Sequence, residues 1–593
     1  MKMRVYPWLL AVALSMAACA QTTQINLSHD LIRLGIAKQN LTPNTPTQDA
    51  RPLFQAALKY AGKNQTQLIT ADQGAYYFLT PQYADRYLEI DNFNNLTIDL
   101  QGSDLYLANS FLMWFVAIDS NHITLTDFTL DIQNLPFTQV QLTGVSGRNL
   151  TYTTLPNWPS PTAFNSAKLS DGTQPDLFAM VFRNGSLIPQ TNRLPINWPL
   201  SGNTLKVTAQ DSPWTQPAVL QNYQPGDMVV LTARGGDAPI LIEGGDSNVV
   251  AHVDVYSSSS FGIHFDTTSN SRVVGARVLP RPGTDRLIST NADGIHFSFT
   301  LAGNRVLSCY VGRTMDDGIA MNSPFLAIVN QQNSQQQIQV TRNFLAIFPN
   351  GLNVQFVSTT TGQIVSSAHI ASQDPPYADP PAGAGPVTLT LDRNLGTLPS
   401  GYGMIYGDTA NRGAGSTIEG NTIEDVLAAR GIYLGGVAGV TVQRNTIRRT
   451  NCGAIVAHED LSSYPVGPVQ DIQILSNTIQ NAIGPAAVGT GAVAAIGSVF
   501  VLTTDSNFNP VTSTPNSNVT IANNTILDSG RDGIWVGNTS SGSVQGNQVI
   551  GYYEHPELAV WGINSQFQAQ LLQDFKQAIV IRGSPGVTLG SNP

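Results

Sequence analysis

Three carboxylates carry the clearest chemical signal in this chain. Asp293 lies in Asn291-Ala292-Asp293-Gly294-Ile295, and Asp316 and Asp317 lie in Met315-Asp316-Asp317-Gly318-Ile319. Aligned on Gly-Ile, Asp293 and Asp317 hold the same place in successive repeats. If the repeats stack, those places sit about one inter-strand spacing apart, ~4.8 Å. Like charges that close cannot all ionise easily, so at least one pKa should rise. A raised carboxyl beside an ionised one is what acid–base cleavage of a glycosidic bond requires. Asp-Gly is also an ordinary turn dipeptide. Asp532-Gly533-Ile534 repeats it with no second carboxylate in the next repeat. A lone Asp-Gly-Ile is therefore read as structural. The stacked trio is read as functional, because its repulsion is costly without a use.

A second column lies beside the acids. If Ile295 and Phe297 point inward, strand alternation turns His296 outward, and likewise His264, Ala320, Tyr433 and Trp535. Such a face could bind a sugar, with rings for stacking and imidazoles for hydroxyls; the rival reading is a solvated or insert-covered face, with the His pair stacked for packing. His296, His264 and Tyr433 are the candidate substrate-binding residues, and Trp535, several repeats away, is read as structural. Arg313, Arg281 and Arg286 lie near the acids in sequence. One of them, with Arg313 kept as the site candidate, could lower an Asp pKa or hold a substrate oxygen; the rival reading, favoured for any single one, is a loop salt-bridge partner.

The elements that position these residues repeat. Gly262-Ile263-His264-Phe265 returns as Gly294-Ile295-His296-Phe297, Gly318-Ile319-Ala320-Met321, Gly431-Ile432-Tyr433-Leu434 and Gly533-Ile534-Trp535-Val536. Asn-Thr-Ile recurs at Asn421, Asn445, Asn477 and Asn524, with Asn547-Gln548-Val549 as a variant. Short β-branched strands at this period, punctuated by Gly and Asn, indicate a solenoid of stacked parallel strands. Asn at one corner of each coil can form a side-chain ladder, because Asn tolerates left-handed turns and bonds nearby backbone. Helical repeats are excluded, since the phrases alternate with period two.

The expected fold is therefore all-β: a right-handed parallel β-helix with an N-terminal helical cap and two inserted small β-domains. The cap helix is read over Gln48–Ala61, with Leu53, Ala57, Leu58 and Tyr60 apolar, and the coils are read from about Tyr87. The division runs 21–133 for cap and first coils, 134–233 for the first insert and 234–323 for coils with the acids. It continues with 324–409 for the second insert and 410–593 for the last coils. The insert exits look alike: Arg234 leads to Ile240 and Arg412 to Ile418, which suggests related insertions.

Composition bounds the partners. The chain has 593 residues, 12% charged, with net charge −10. That balance argues against nucleic acid, which needs a basic face, and against a polybasic membrane-surface patch. A hydrophobic content of 42% is ample for a large core. Lys2 and Arg4, then an apolar run from Val5 to Ala18, read as a secretory signal within residues 1–20. Met16-Ala17-Ala18-Cys19 resembles a bacterial lipobox, which would make Cys19 a lipidation site and the one route to a membrane. Cleavage after Ala20 is the other reading. Either makes the chain exported: a surface or outer-membrane lipoprotein, or a periplasmic or extracellular protein. Cys309 and Cys452 are read as buried free thiols. No cofactor or metal is read from the sequence.

At these residues the chain resembles the parallel β-helix glycoside hydrolases, and most specifically the bacterial exo-acting α-galactosidases of glycoside hydrolase family 110. Asn291-Ala292-Asp293-Gly294-Ile295-His296, followed by Asp316-Asp317-Gly318, looks like that family's active-site stretch. The resemblance is specific over roughly 240–325 and looser elsewhere. It implies a carbohydrate substrate, inverting removal of terminal α-1,3-linked galactose, and catalytic roles for Asp293, Asp316 and Asp317. On that basis Asp316 is expected to protonate the leaving oxygen while Asp293 and Asp317 activate water; the labels are exchangeable. An inverting route ordinarily needs acid and base ~6.5–9.5 Å apart. Polygalacturonases share the spaced acids but also carry Gly-His-Gly and Arg-Ile-Lys, absent here, which favours a neutral sugar. A Ca²⁺-dependent polysaccharide lyase and a non-catalytic glycan-binding surface protein are the rival readings.

Overall fold

The computed structural model describes residues 24–188, 193–208, 220–343, 348–375, 386–398, 400–459, 465–484, 494–500, 513–554 and 577–593. Residues 1–20, read from the sequence as a secretory signal, and Cys19 among them lie outside the described residues. The chain forms a parallel β-helix. One face stacks, in parallel order, strands Arg86–Asp91, Met113–Ile118, Ile240–Glu243, Ile263–Asp266, Ile295–Ser298, Ile319–Asn322, Ile432–Gly435, Ile455–Glu459, Ala494–Phe500, Asp532–Gly537 and Ile579–Arg582. The remaining coil strands pair in parallel on the other faces, joined through the long strands Asn94–Leu107, Asn121–Ile132 and Val249–Val255.

The recurring glycine has a steric cause. A Cβ on Gly262 would lie 2.5 Å from the Gly294 carbonyl oxygen, one on Gly294 2.7 Å from that of Gly318, and one on Gly318 2.6 Å from that of Gly431. Successive coils approach too closely at this corner for any side chain. The next residue points inward: Ile263, Ile295, Ile319 and Ile432 are fully buried, and Phe265 stacks on Phe297 with centroids 4.7 Å apart. These residues belong to one continuous core.

The asparagines form the expected ladder. Each Nδ2 donates to the Oδ1 of the next coil's Asn, from Asn421 to Asn445, Asn477, Asn524 and Asn547, at 2.9–3.0 Å. Asn592 extends the run. Each Nδ2 also donates to a carbonyl of the preceding coil, as Asn477 does to Val442 at 3.0 Å. Both amide ends are thus used, which is what a buried polar column needs.

The coils begin earlier than Tyr87. Gln24–Asn26 already pairs in parallel with Leu68–Thr70, which pairs with Leu96-containing strand Asn94–Leu107. The helix between them runs Arg51–Asn64 and buries Leu53, Phe54, Ala57, Leu58 and Ala61 against the coil core. It ends where Gln65 adopts a left-handed conformation and its N–H reaches the Ala61 carbonyl.

Two segments leave the coil. Among the described residues, the first carries a seven-stranded antiparallel sheet between Phe137 and Arg234, with its own core. The second carries a closed six-stranded barrel from Ala327 to Tyr406. The likeness of their exits does not extend to structure. Ile240 enters the eleven-stranded face, whereas Ile418 pairs on another. Arg234 turns to a carboxylate, whereas buried Arg412 donates to the Gly436 and Pro468 carbonyls. Phe137, Phe178, Met180, Phe182 and Val230 of the first insert pack on Ile288, Met315 and Leu427 of the coils, which seats that insert over the acids' coil. Cys309 and Cys452 are buried, and neither is in a disulfide among the described residues. No helix among the described residues is long and apolar enough to cross a membrane.

Candidate active site

Four parallel strands make the floor: Ile263–Asp266, Ile295–Ser298, Ile319–Asn322 and Ile432–Gly435. The residue before each strand's glycine forms a column. Gly262 N–H donates to the Asp293 carbonyl, Gly294 N–H to that of Asp317, and Gly318 N–H to that of Arg430, at 2.9–3.0 Å. Backbone pairing therefore sets Asp293, Asp317 and Arg430 on consecutive coils. Asp316 joins them from the same turn as Asp317. One carboxylate oxygen of each of Asp293, Asp316 and Asp317 lies within 4.8 Å of the others. The trio is thus closer than the acid–base gap ordinarily associated with inversion, so the spacing itself does not announce that stereochemistry.

Three guanidinium groups divide these carboxylates electrostatically. Arg193 and Arg234 both reach Asp316 Oδ2, at 2.6 and 3.0 Å. Arg430 grips Asp317 with Nε on Oδ1 at 2.8 Å and Nη2 on Oδ2 at 2.7 Å. Burial alone would raise Asp316, but Arg193, Arg234 and Arg430 outweigh it and hold its carboxyl well below the ordinary range. Burial, helped by Asp293 and Asp316 and opposed by Arg430, pushes Asp317 up to about 6. Two adjacent acids thus sit on opposite sides of the usual value. The acid role expected for Asp316 meets two arginines that keep it ionised in the free protein.

Asp293 is oriented by the histidine column. His296 Nδ1–H donates to Asp293 Oδ2 at 2.5 Å, and Asn322 Nδ2 donates to His296 Nε2 at 3.0 Å. His264 lies one coil away, its ring 5.3 Å from that of His296, and Phe261 packs on both. It bonds Asp237 through Nδ1 at 2.8 Å and Ser298 through Nε2 at 2.7 Å. Burial would lower His264, but Asp237, Asp266 and Asp293 outweigh it and its pKa is raised. Asp237 is lowered in turn, against its burial, chiefly by His264.

The outward column is not a solvated face: His264, His296, Ala320, Tyr433 and Trp535 are all buried. Tyr433 lies flat under Arg430, whose Cζ is 3.9 Å from the ring centroid. Arg313 is not brought to the acids. Its guanidinium donates to the carbonyls of Leu287 and Gly185, and it lines a separate cleft with Asp425 and Arg449. Arg281 and Arg286 are held by Asp131. The trio also has metal-ligand geometry, but a cation there would meet three guanidinium groups already placed against it.

Sequence reasoning missed Arg193, Arg234, Arg430, Asp237, Ser298 and Asn322. Arg430 was within reach, since it precedes Gly431-Ile432 as Asp317 precedes Gly318-Ile319. Arg193 gives no local signal, because the first insert carries it to the site.

No protein-family profile matches the chain. An α-1,3-galactosidase A from Shewanella woodyi is 22% identical over 499 residues, 76% of each chain. An α-1,3-galactosidase A from Bacteroides fragilis is 23% identical over 291 residues, 46% of each. An α-1,3-galactosidase B from Akkermansia muciniphila is 20% identical over 307 residues, 48% of this chain and 38% of that protein. Among solved structures, the mannuronan C-5 epimerase AlgE6 A-module of Azotobacter vinelandii superposes with a TM-score of 0.43 at 12% identity. It covers 92% of this chain and 97% of that one. The GH87 α-1,3-glucanase catalytic unit of Streptomyces thermodiastaticus gives 0.37 at 13% identity, over 85% and 57%.

Proposed function

We propose that this chain, a distant relative of the bacterial α-1,3-galactosidases, is a glycoside hydrolase that removes terminal α-1,3-linked galactose from glycans. The observation that carries the chemistry is the Asp293–Asp316–Asp317 cluster with its unequal arginine partners. Glycosidic cleavage needs one carboxyl that holds a proton beside another that does not. Asp316 and Asp317 titrate as a pair, and the pair retains one proton into mildly acidic solution. That proton serves the leaving oxygen. Asp293, fixed by His296, acts with the ionised member of the pair to polarise the attacking water. The choice of sugar and linkage is supported by the name α-1,3-galactosidase that the relatives carry. Inversion follows the family resemblance, not the carboxylate spacing.

Proton NMR of the protein with a Gal-α-1,3-Gal disaccharide tests this, without and with EDTA. β-Galactose released first, at the same rate in both samples, is the expected result. α-Galactose first would remove the inverting route. On a uronic-acid polysaccharide offered in parallel, an unsaturated product with ultraviolet absorbance, lost with EDTA, would favour a lyase. Binding without turnover, unaffected by Asp293→Asn, would leave a glycan-binding protein.

A further inference from the structure

We propose that Tyr433 is a positioning residue: its ring, laid flat by the missing side chain of Gly435, fixes the Arg430 guanidinium in the orientation that grips Asp317. This rests on the reading of the carboxylate trio as catalytic. It reassigns the residue that the sequence offered as a sugar-stacking ring.

Gly435 sets where the ring can lie. A Cβ there would fall 2.4 Å from the Tyr433 hydroxyl oxygen and 2.6 Å from its Cζ. No side chain fits at 435 while the ring lies where it does. Both residues are on the strand Ile432–Gly435, two apart, so their side-chain positions share one face. A side chain at 435 would push the ring off the strand. With glycine there, the ring lies along the strand. His458 stands edge-on to it, with centroids 5.9 Å apart and planes 79° apart. Arg430 occupies another side at 3.9 Å. A guanidinium on an aromatic face gains cation–π attraction and loses freedom to tilt. That matters because the fork must be coplanar with the carboxylate to make two bonds at once. Tyr433 is 5% exposed as a residue, which leaves little of its ring for a sugar to stack on.

Among the described residues, the charged groups that act most strongly on Asp317 are Arg430 and the carboxylates of Asp293 and Asp316, with Arg193 and Arg234 held on the latter. Of the first three, Arg430 is the one that favours the charged form. Loosening its fork must therefore move Asp317 titration to higher pH. If Asp317 works protonated, the alkaline limb moves up; if it works ionised, the acid limb does. The direction is the same for either role.

The test compares Tyr433→Phe, Tyr433→Leu and Gly435→Ala with wild type. Two readouts are taken: kcat/KM against pH on a Gal-α-1,3-Gal substrate, and carboxyl titration by carbon NMR of aspartate-labelled protein. Asp317→Asn identifies the resonance. Tyr433→Leu and Gly435→Ala are expected to move both the limb and the resonance up by about 0.5 pH or more, with KM within about twofold. Tyr433→Phe, which keeps the ring, leaves them in place. If Gly435→Ala does not fold, the Phe–Leu contrast still decides. A Leu variant with unchanged titration, or one that raises KM severalfold at constant pH profile, overturns the proposal. If wild type cleaves no α-galactoside, the function proposed above fails, while the carboxyl titration still tests the positioning role.

Discussion

Arg430 donates to both oxygens of Asp317, at 2.8 and 2.7 Å, across 113 residues of sequence and a single step of the coil. The strands that follow them pair directly, Ile319 with Ile432. The Asp317 side chain is 4% exposed, so its charge depends on this partner.

Removing that partner leaves a buried carboxylate beside two others. Arg430→Met is expected to cost about 3 kcal/mol in denaturant unfolding, the usual scale for breaking a buried pair from one side. Adding Asp317→Asn to it should recover a large part. A double variant no more stable than the single one would show that the loss came from packing under Arg430 and not from the charge.

The trio predicts a shared loss of chemistry. Asp293→Asn, Asp316→Asn and Asp317→Asn should each lower kcat by roughly 10²–10⁴-fold, with circular dichroism unchanged. Full activity in both the 316 and 317 variants on every cleavable glycan would remove this site.

Activity should fall as pH rises through about 6, where the proton kept by burial and the neighbouring carboxylates leaves Asp317. Stability follows the same sign. An acid raised in the folded state contributes stability below its unfolded value of about 3.9 and loses it as pH climbs through about 6. Asp316, held low, contributes above the ordinary carboxylate range and loses that on acidification. In Asp317→Asn the limb near 6 should vanish from the pH–rate profile of whatever activity remains.

The asparagine ladder predicts a structural effect without a catalytic one. Asn477→Ala strips partners from Asn445 and from the backbone N–H of Asn445, both of which use Asn477 Oδ1 at 3.0 Å. It should cost about 1–3 kcal/mol in chemical denaturation and leave kcat/KM as it was. A loss of kcat/KM at constant stability would mean that the ladder also shapes the site.

The coil was legible because its rules are local. A glycine that admits the next coil's carbonyl, an inward Ile and a corner Asn all leave marks at fixed offsets, and Gly294-Ile295 or Asn445 can be read by eye. The trio was legible for the same reason, since two of its members share a column. The partners that set their charge were not. Arg193 and Arg234 arrive on an antiparallel sheet whose docking depends on Phe178, Met180 and Met315 meeting across the interface. Nothing in the spacing of those residues announces that contact. Arg313 is close to Asp316 in sequence but not in space, because its turn leads to Leu287 and Gly185. The outward column was half legible: alternation gives direction, but not what lies above it.

The barrel between Ala327 and Tyr406 leaves the coil after Asn322, and the chain resumes stacking so that Ile432 pairs with Ile319. In the frame of the solenoid it is a parenthesis. Growth or shrinkage of that parenthesis leaves the coil count and the Asp317–Arg430 step unchanged. An extra coil inserted between residues 323 and 430 would instead separate the two by another rung and disconnect the fork from its acid. Length is therefore free in one place and a single repeat decisive in another, and the two share one stretch of sequence.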